Sequence, residues 1–312
     1  MNVLTVALEF AVLVFLGIFI VRIRLVTVEF RTQLAKFVMN VAVPCMICRS
    51  LYSQSGNQGA LLQAPLLGLA ALALLLLAGQ GLYLLLGRGD LGKTGRFGMA
   101  YSNFTFLGFP VVEALYGEQG LFAFALFTLP IRLIFYPSGY FLLTPEGEKG
   151  QRPGLKTLLR KLVSPPTVAV AIGLGLYALK LPVPAFLDAA VDALGDTASV
   201  LGMLLVGMGM AQATPRSLWA RRKAFWIVLA RLLIAPLLVL GLFLLLGVEP
   251  ELAAPLFLYG ALPVPSLMTT FSVSLGRPEA ACQDASAAVL ASTLLSIVTL
   301  PVWAALGRWV WC

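Results

Sequence analysis

Histidine is absent from the 312 residues. Its absence removes the commonest general base and metal ligand, and with it the usual Ser-His and Cys-His nucleophile pairs. Charge is scarce as well. Only 12% of residues are charged, against about 25% in a soluble domain, and a soluble chain that is 60% hydrophobic has too few polar groups to cover its surface. Of four cysteines, Cys45 and Cys48 share a helix face at i, i+3 inside an apolar run. That spacing resembles half a zinc site, but no second ligand pair exists, and free cysteine ordinarily serves as a small buried apolar residue. No metal motif, paired aspartates or cofactor loop is evident, so neither an enzyme nor a cofactor is expected. A positive stretch ahead of the first apolar core, which a cleavable signal requires, is also missing. Arg22 and Arg24 follow that core instead, which reads as a retained span with its N-terminus outside.

What is present is a succession of apolar runs. At about 20 residues per crossing, ten spans fit: 3–21, 33–51, 61–86, 97–116, 120–143, 164–180, 190–212, 224–247, 252–275 and 283–306. The basic residues test this layout. The odd-numbered connections carry Arg22, Arg24, Arg31 and Lys36, then Arg88, Lys93 and Arg96, then Lys149 to Lys161, then Arg216 to Lys223, then Arg277. The opposite side has only Arg49, Lys180 and Arg308. Positive loops stay in the cytoplasm, so both termini are expected outside the cytoplasm, in a multi-pass protein of the cell (inner) membrane. The net charge of +8 then reflects membrane orientation, not affinity for nucleic acid.

The longest polar connection divides the chain into a first unit, 1–143, a cytoplasmic linker, 144–163, and a second unit, 164–312. Each unit holds five spans. An odd number per unit inverts the second relative to the first, a recurrent build for secondary transporters. The fourth span has Gly108 and Pro110 near its middle, and the ninth has Gly260, Pro263 and Pro265. A proline inside a helix removes one hydrogen bond and clashes with the preceding turn. The freed carbonyls are tolerated in a membrane only where they face protein or a watered cavity. Breaks at matching positions of two halves are a sequence pointer to a transporter binding site; a pair of ordinary proline kinks is the plainer reading.

The stretch SNFTFLGFPVVEALYGEQGLFAFALF, together with ALPVPSLMTTFSVSLG, ASTLLSIVTLPVW and LAKFVMNVAVPCMICRSL, resembles the auxin efflux carrier family, which includes bacterial malonate and malate carriers and plant PIN proteins. The resemblance covers nearly the whole chain. It implies an all-α membrane protein of ten transmembrane helices in two inverted five-helix repeats, with crossed, broken fourth and ninth helices. It also implies that Asn103, seven residues before the proline of the fourth span, lines the substrate site. The chain departs from the plant members in lacking a long central loop and in having Val264 and Pro265 after Pro263. Indole-acetic acid is therefore not the expected substrate.

Charges inside spans are costly and usually face a cavity or a partner. Arg132, central in the fifth span, reads as a carboxylate clamp, as a partner of Glu113, or as a cap on the broken helix. Arg231 reads as a side chain snorkelling to the cytoplasmic surface. Glu113 is a candidate proton carrier or a structural partner. Asp188, Asp192 and Asp196 recur every four residues, as a solvated face or as a cation funnel with Asp196 deepest. The glycines of GMGMAQ, 207–212, read as a close-packing surface between helices.

The expected function is secondary transport of small organic anions by alternating access, with a channel on the same scaffold and a sodium-coupled carrier of the bile-acid type as alternatives. The substrate-binding set is Asn103, Thr105, Gly108, Pro110, Arg132, Pro263, Val264, Pro265 and Ser266. Glu113, Asp196, Ser292 and Thr293 are the candidates for coupling to protons or sodium. The expected partners are a carboxylate substrate, the coupling ion and the lipid bilayer, with a homodimer left open.

Overall fold

The computed structural model describes residues 3–53, 58–144, 164–211 and 220–311. Among these every regular element is helical. Most of the polar connection between the two halves therefore lies outside the described residues, as does Arg216.

Helix α1 is Val3–Arg22. Helix α2 runs through three consecutive segments, Val28–Phe37, a wide π turn Val38–Ala42, and Val43–Tyr52. The Leu- and Ala-rich α3, Gln58–Leu85, is built of strong helix formers. Then come α4, Asp90–Ala100, a π turn Phe104–Gly108, and α5, Phe109–Leu143. Next are α6, Pro165–Leu179, and α7, Ala185–Met210. Helix α8 joins Phe225–Leu229, a π turn Ala230–Ile234, and Ala235–Leu245. The last three are α9, Pro250–Ala261, α10, Leu267–Ser274, and α11, Glu279–Trp311. Six helical stretches among the described residues are long and apolar enough to cross a bilayer, and α6 is a shorter apolar helix.

The three π turns share one cause. Each ends two residues before a proline: Pro44, Pro110 and Pro236. A helical proline ring collides with the carbonyl four residues back. Opening the preceding turn to i→i+5 bonding makes room for the ring without ending the helix. Phe109 N–H accordingly donates to the Phe104 carbonyl.

Packing separates the helices into two groups. In the first, α1 runs along α7, and α2 packs on α6 and α7. In the second, α3 packs on α4 and α5, α9 lies against α5, α8 and α11, and α10 against α11. The α1–α7 contact is closest at Gly17 and Gly207, where an added Cβ would collide with the backbone of the facing helix. Gly207 thus has the close-packing role read from its sequence context.

Helix α5 contains a sharp turn at Gly117, at φ 63°, ψ −162°, a conformation essentially confined to glycine. Arg308, near the end of α11, donates to the Leu115 carbonyl at 2.7 Å beside this turn.

Candidate functional site

The two interrupted helices meet. The first interruption spans Tyr101 to Asn103. Tyr101 is extended, at φ −115°, ψ 147°, and Asn103 lies at φ −80°, ψ 54°. The second follows Leu262, extended at φ −69°, ψ 148°. Pro263 disfavours the helical conformation for Leu262, and Pro265 does the same for Val264. This break therefore lies where its prolines put it. The first does not. Its unwound residues precede Gly108 and Pro110, which instead close the π turn and open α5. The expectation that Gly108 and Pro110 mark the break is corrected on this point: the widened turn ahead of Pro110 makes room for its ring, so the helix continues through it.

Asn103 joins the two breaks. Its backbone N–H donates to the Pro263 carbonyl at 2.9 Å, and its side-chain Nδ2 donates to Ser266 Oγ at 3.1 Å. Its own carbonyl accepts from the N–H groups of Leu107 and Gly108. Val264 N–H donates to Ser292 Oγ at 3.2 Å, tying the second break to α11. Ser292 and Thr293 hydroxyls also donate to the Val289 carbonyl at 3.1 and 2.7 Å.

A small cavity of about 30 Å³ adjoins this junction, lined among others by Asn103, Thr105, Arg132, Pro265 and Ser266. It has room for one or two waters. The Arg132 guanidinium lies 5.2 Å from the Phe104 ring and 5.5 Å from the Phe109 ring, close enough for cation–π attraction. Glu113 is not its partner. The Glu113 carboxylate accepts from Ser199 Oγ at 2.8 Å, at a different site. Thus Asn103, Thr105, Arg132, Pro265 and Ser266 converge on one cavity. Pro263 and Val264 form its backbone support, Gly108 and Pro110 lie behind it in the π turn and α5, and Ser292 buttresses it from α11.

Arg231 is the residue that the sequence reading missed. It is fully buried, so the snorkelling expectation is wrong. Its Nε donates to the Leu262 carbonyl at 2.9 Å, one terminal nitrogen donates to Met99 at 2.8 Å, and the other donates to Tyr259. Tyr259 Oη adds a bond to the Ala100 carbonyl at 3.2 Å. One guanidinium therefore satisfies orphan carbonyls at the C-terminal ends of both α4 and α9, where partial negative charge accumulates. The available signal was Arg231 itself, five residues before Pro236 in an otherwise apolar span; its target was hidden because Met99 and Tyr259 are remote in sequence.

Two further cavities lie between the helix groups. On the side carrying Arg31, a cavity of about 430 Å³ is bounded by Arg31 and Ala35 of α2 and Gly209 of α7 on one wall, and by Thr269, Thr270 and Ser286 of the second group on the other. It shares Ser266 and Phe106 with the small cavity. On the opposite side the space shrinks to about 10 Å³, surrounded by Arg49, Glu113, Glu118, Asp192 and Asp196. Arg49 pairs there with Glu118 of α5 at 3.2 Å and with Asp192 of α7. Ser53 donates to Glu118 at 3.0 Å, and Tyr52 to Asp188 at 2.7 Å. Asp188 and Asp192 thus face α2, and are not simply a solvated face; Asp196 is exposed. Glu113 and Asp196 lie in this closed region, and Ser292 and Thr293 at the other side of the junction.

A family model described as membrane transport protein matches residues 3–304. The chain belongs to this family. An uncharacterized transporter of Methanothermobacter thermautotrophicus is 26% identical over 308 residues, covering 95% of each chain. The auxin efflux carrier resemblance is borne out by this match over nearly the entire length, and the protein is a membrane protein of a transporter family.

Proposed function

We propose that this membrane transport protein is a secondary carrier of small organic anions that works by alternating access. In this reading the chain crosses the inner membrane ten times, as inverted five-helix repeats over 1–143 and 164–312, with both termini outside. The fourth span is α4 with the beginning of α5, and the ninth is α9 with α10. Substrate reaches the junction of Asn103, Ser266 and Arg132, where a guanidinium can meet a carboxylate through two parallel hydrogen bonds.

The observation that carries this reading is the asymmetry around the junction. A cavity of about 430 Å³ lies between the helix groups on one side, and an ion-paired closure lies on the other. An opening on one side with closure on the other is one of the two states that alternating access requires, which supports a carrier. With the positive loops in the cytoplasm, the accessible face is the cytoplasmic one. Movement of the second helix group against the first would exchange the two states.

For coupling, the half-buried Glu113 at the closed side suits a proton. Ser292 and Thr293 are already engaged with Val264 and Val289, which weighs against a sodium site built from them. The test is uptake of labelled malate, malonate and indole acids by the purified protein in liposomes, with and without proton or sodium gradients. Saturable flux driven by a proton gradient is expected. Flux without saturation or exchange would favour a channel, and no organic-acid flux would eliminate the carrier reading.

A further inference from the structure

We infer that Arg31 is the anion-selecting residue of the large cavity, and that this cavity receives organic acids bearing one negative charge on an apolar body. The inference deepens the carrier reading and rests on it, but it makes a binding prediction that can be tested apart from transport.

Arg24, Arg88 and Arg222 on the same side as Arg31 are exposed to solvent; Arg31 differs from the remaining described arginines there. Arg22 donates to the Ala211 carbonyl. Arg96 donates to Gln80 and the Leu142 carbonyl, Arg221 bonds Asp284, and Arg277 bonds Asp90, Thr94 and Ser272. Each is spent on the fold. Arg31 is half-buried, yet among the described residues no side-chain hydrogen bond or ion pair engages its guanidinium. It stands over Gly209, where even an added Cβ would lie 3.6 Å from its terminal nitrogen, and it forms part of the cavity wall. A cation withdrawn from bulk water without a protein acceptor is poised for an anion.

The remaining wall defines the body of that anion. Thr269, Thr270 and Ser286 supply hydroxyls, while Leu205, Val206 and Leu290 supply apolar surface. Among the described residues, Arg31 is the single charged one bounding the cavity. One carboxylate can therefore be neutralised, and a second would have only hydroxyls as partners. The volume of about 430 Å³ falls within the range of small-molecule sites. Ser266 borders both this cavity and the junction, so the Arg31 site would hold the ligand next to the crossing of the broken helices.

The experiment measures ligand-dependent thermal stabilisation of the purified full chain in lipid nanodiscs, with phenylacetate, its neutral counterpart 2-phenylethanol, and malonate as probes. Saturable stabilisation by phenylacetate is expected, with little from 2-phenylethanol and weaker binding of malonate. Arg31→Gln should weaken phenylacetate by at least about tenfold, the scale of one lost charge-assisted contact, and Arg31→Lys should recover part of the loss. Among the described residues Arg31 has no side-chain partner to lose, so the ligand-free unfolding temperature should stay near that of the parent. Should Arg31→Gln not fold, Arg31→Lys and Thr270→Val must each show a smaller loss of the same ligand preference. Equal affinity in the variants, equal stabilisation by 2-phenylethanol, tighter binding of malonate, or no saturable binding to the parent chain overturns the inference. Arg31-dependent binding without flux in liposomes would uphold the site and sink the carrier; flux independent of Arg31 would do the reverse.

Discussion

A fully buried guanidinium has to place its donors on the protein, and Arg231 places them on Met99, Tyr259 and Leu262. Each of those carbonyls would otherwise be an orphan at a helix end. Arg231→Met should therefore destabilise the protein by about 3–5 kcal/mol, the range for breaking a buried, hydrogen-bonded charge site. Arg231→Lys should recover only part of this, because an ammonium cannot reach three separated acceptors with a planar fork. Thermal unfolding in detergent measures both; a parent-like Arg231→Met would refute the capping role. Asn103 works differently. Its backbone bond to Pro263 survives any side-chain change, whereas the Nδ2 bond to Ser266 does not. Asn103→Ala should leave unfolding within about 1 kcal/mol of the parent, the typical worth of one neutral hydrogen bond, while reducing organic-acid flux at least about tenfold. Undiminished flux would remove Asn103 from the transport path.

At the scale of elements, prolines decide where helices bend but not always where they break. Pro263 and Pro265 together unwind their own neighbourhood, since each disfavours the helical conformation for the residue before it and the two lie only two residues apart. Pro110 leaves its helix intact by widening the turn ahead of it, and the unwound residues, Tyr101 to Asn103, lie further upstream. The sharp turn in α5 depends on one residue. At φ 63°, ψ −162°, Gly117→Ala should cost about 1–3 kcal/mol although nothing crowds the added methyl. Gly120→Ala is not an equivalent control, because Tyr116 would obstruct it; Gly81→Ala, in open space within α3, is the appropriate one and should be neutral or slightly stabilising. Equal stabilities for the Gly117 and Gly81 variants would contradict the strain argument.

At the scale of the whole molecule, two helix groups are separated by a cavity at one side and held together at the other by Arg49 and Glu118. Both side chains of that pair remain partly exposed, at 31% and 42%, so its worth is about 0–1 kcal/mol. That is small for the fold but sufficient to shift a two-state equilibrium by up to about fivefold. Glu118→Gln should therefore leave the protein folded and open the closed side more often. A cysteine at Ser50, which is buried behind the pair, should then react severalfold faster with a membrane-impermeant maleimide supplied on that side. Unchanged labelling would mean that the pair does not latch the two groups.

The sequence by itself determined the class of the protein. Scarce charge and long apolar runs leave a bilayer as the only suitable solvent, and the paired Gly-Pro interruptions mark the spans that matter. It also placed the second break at Pro263 and Pro265, because proline restricts the residue before it without tertiary information, whereas Asn103 was indicated only by the family resemblance. Tertiary structure decided the rest. Whether Arg132 meets Glu113, where Arg231 points, and whether Arg31 finds an acceptor among the described residues all depend on contacts between residues remote in the chain. Hydrogen bonds and ion pairs act over a few ångströms, and only the packing of the two helix groups sets those distances.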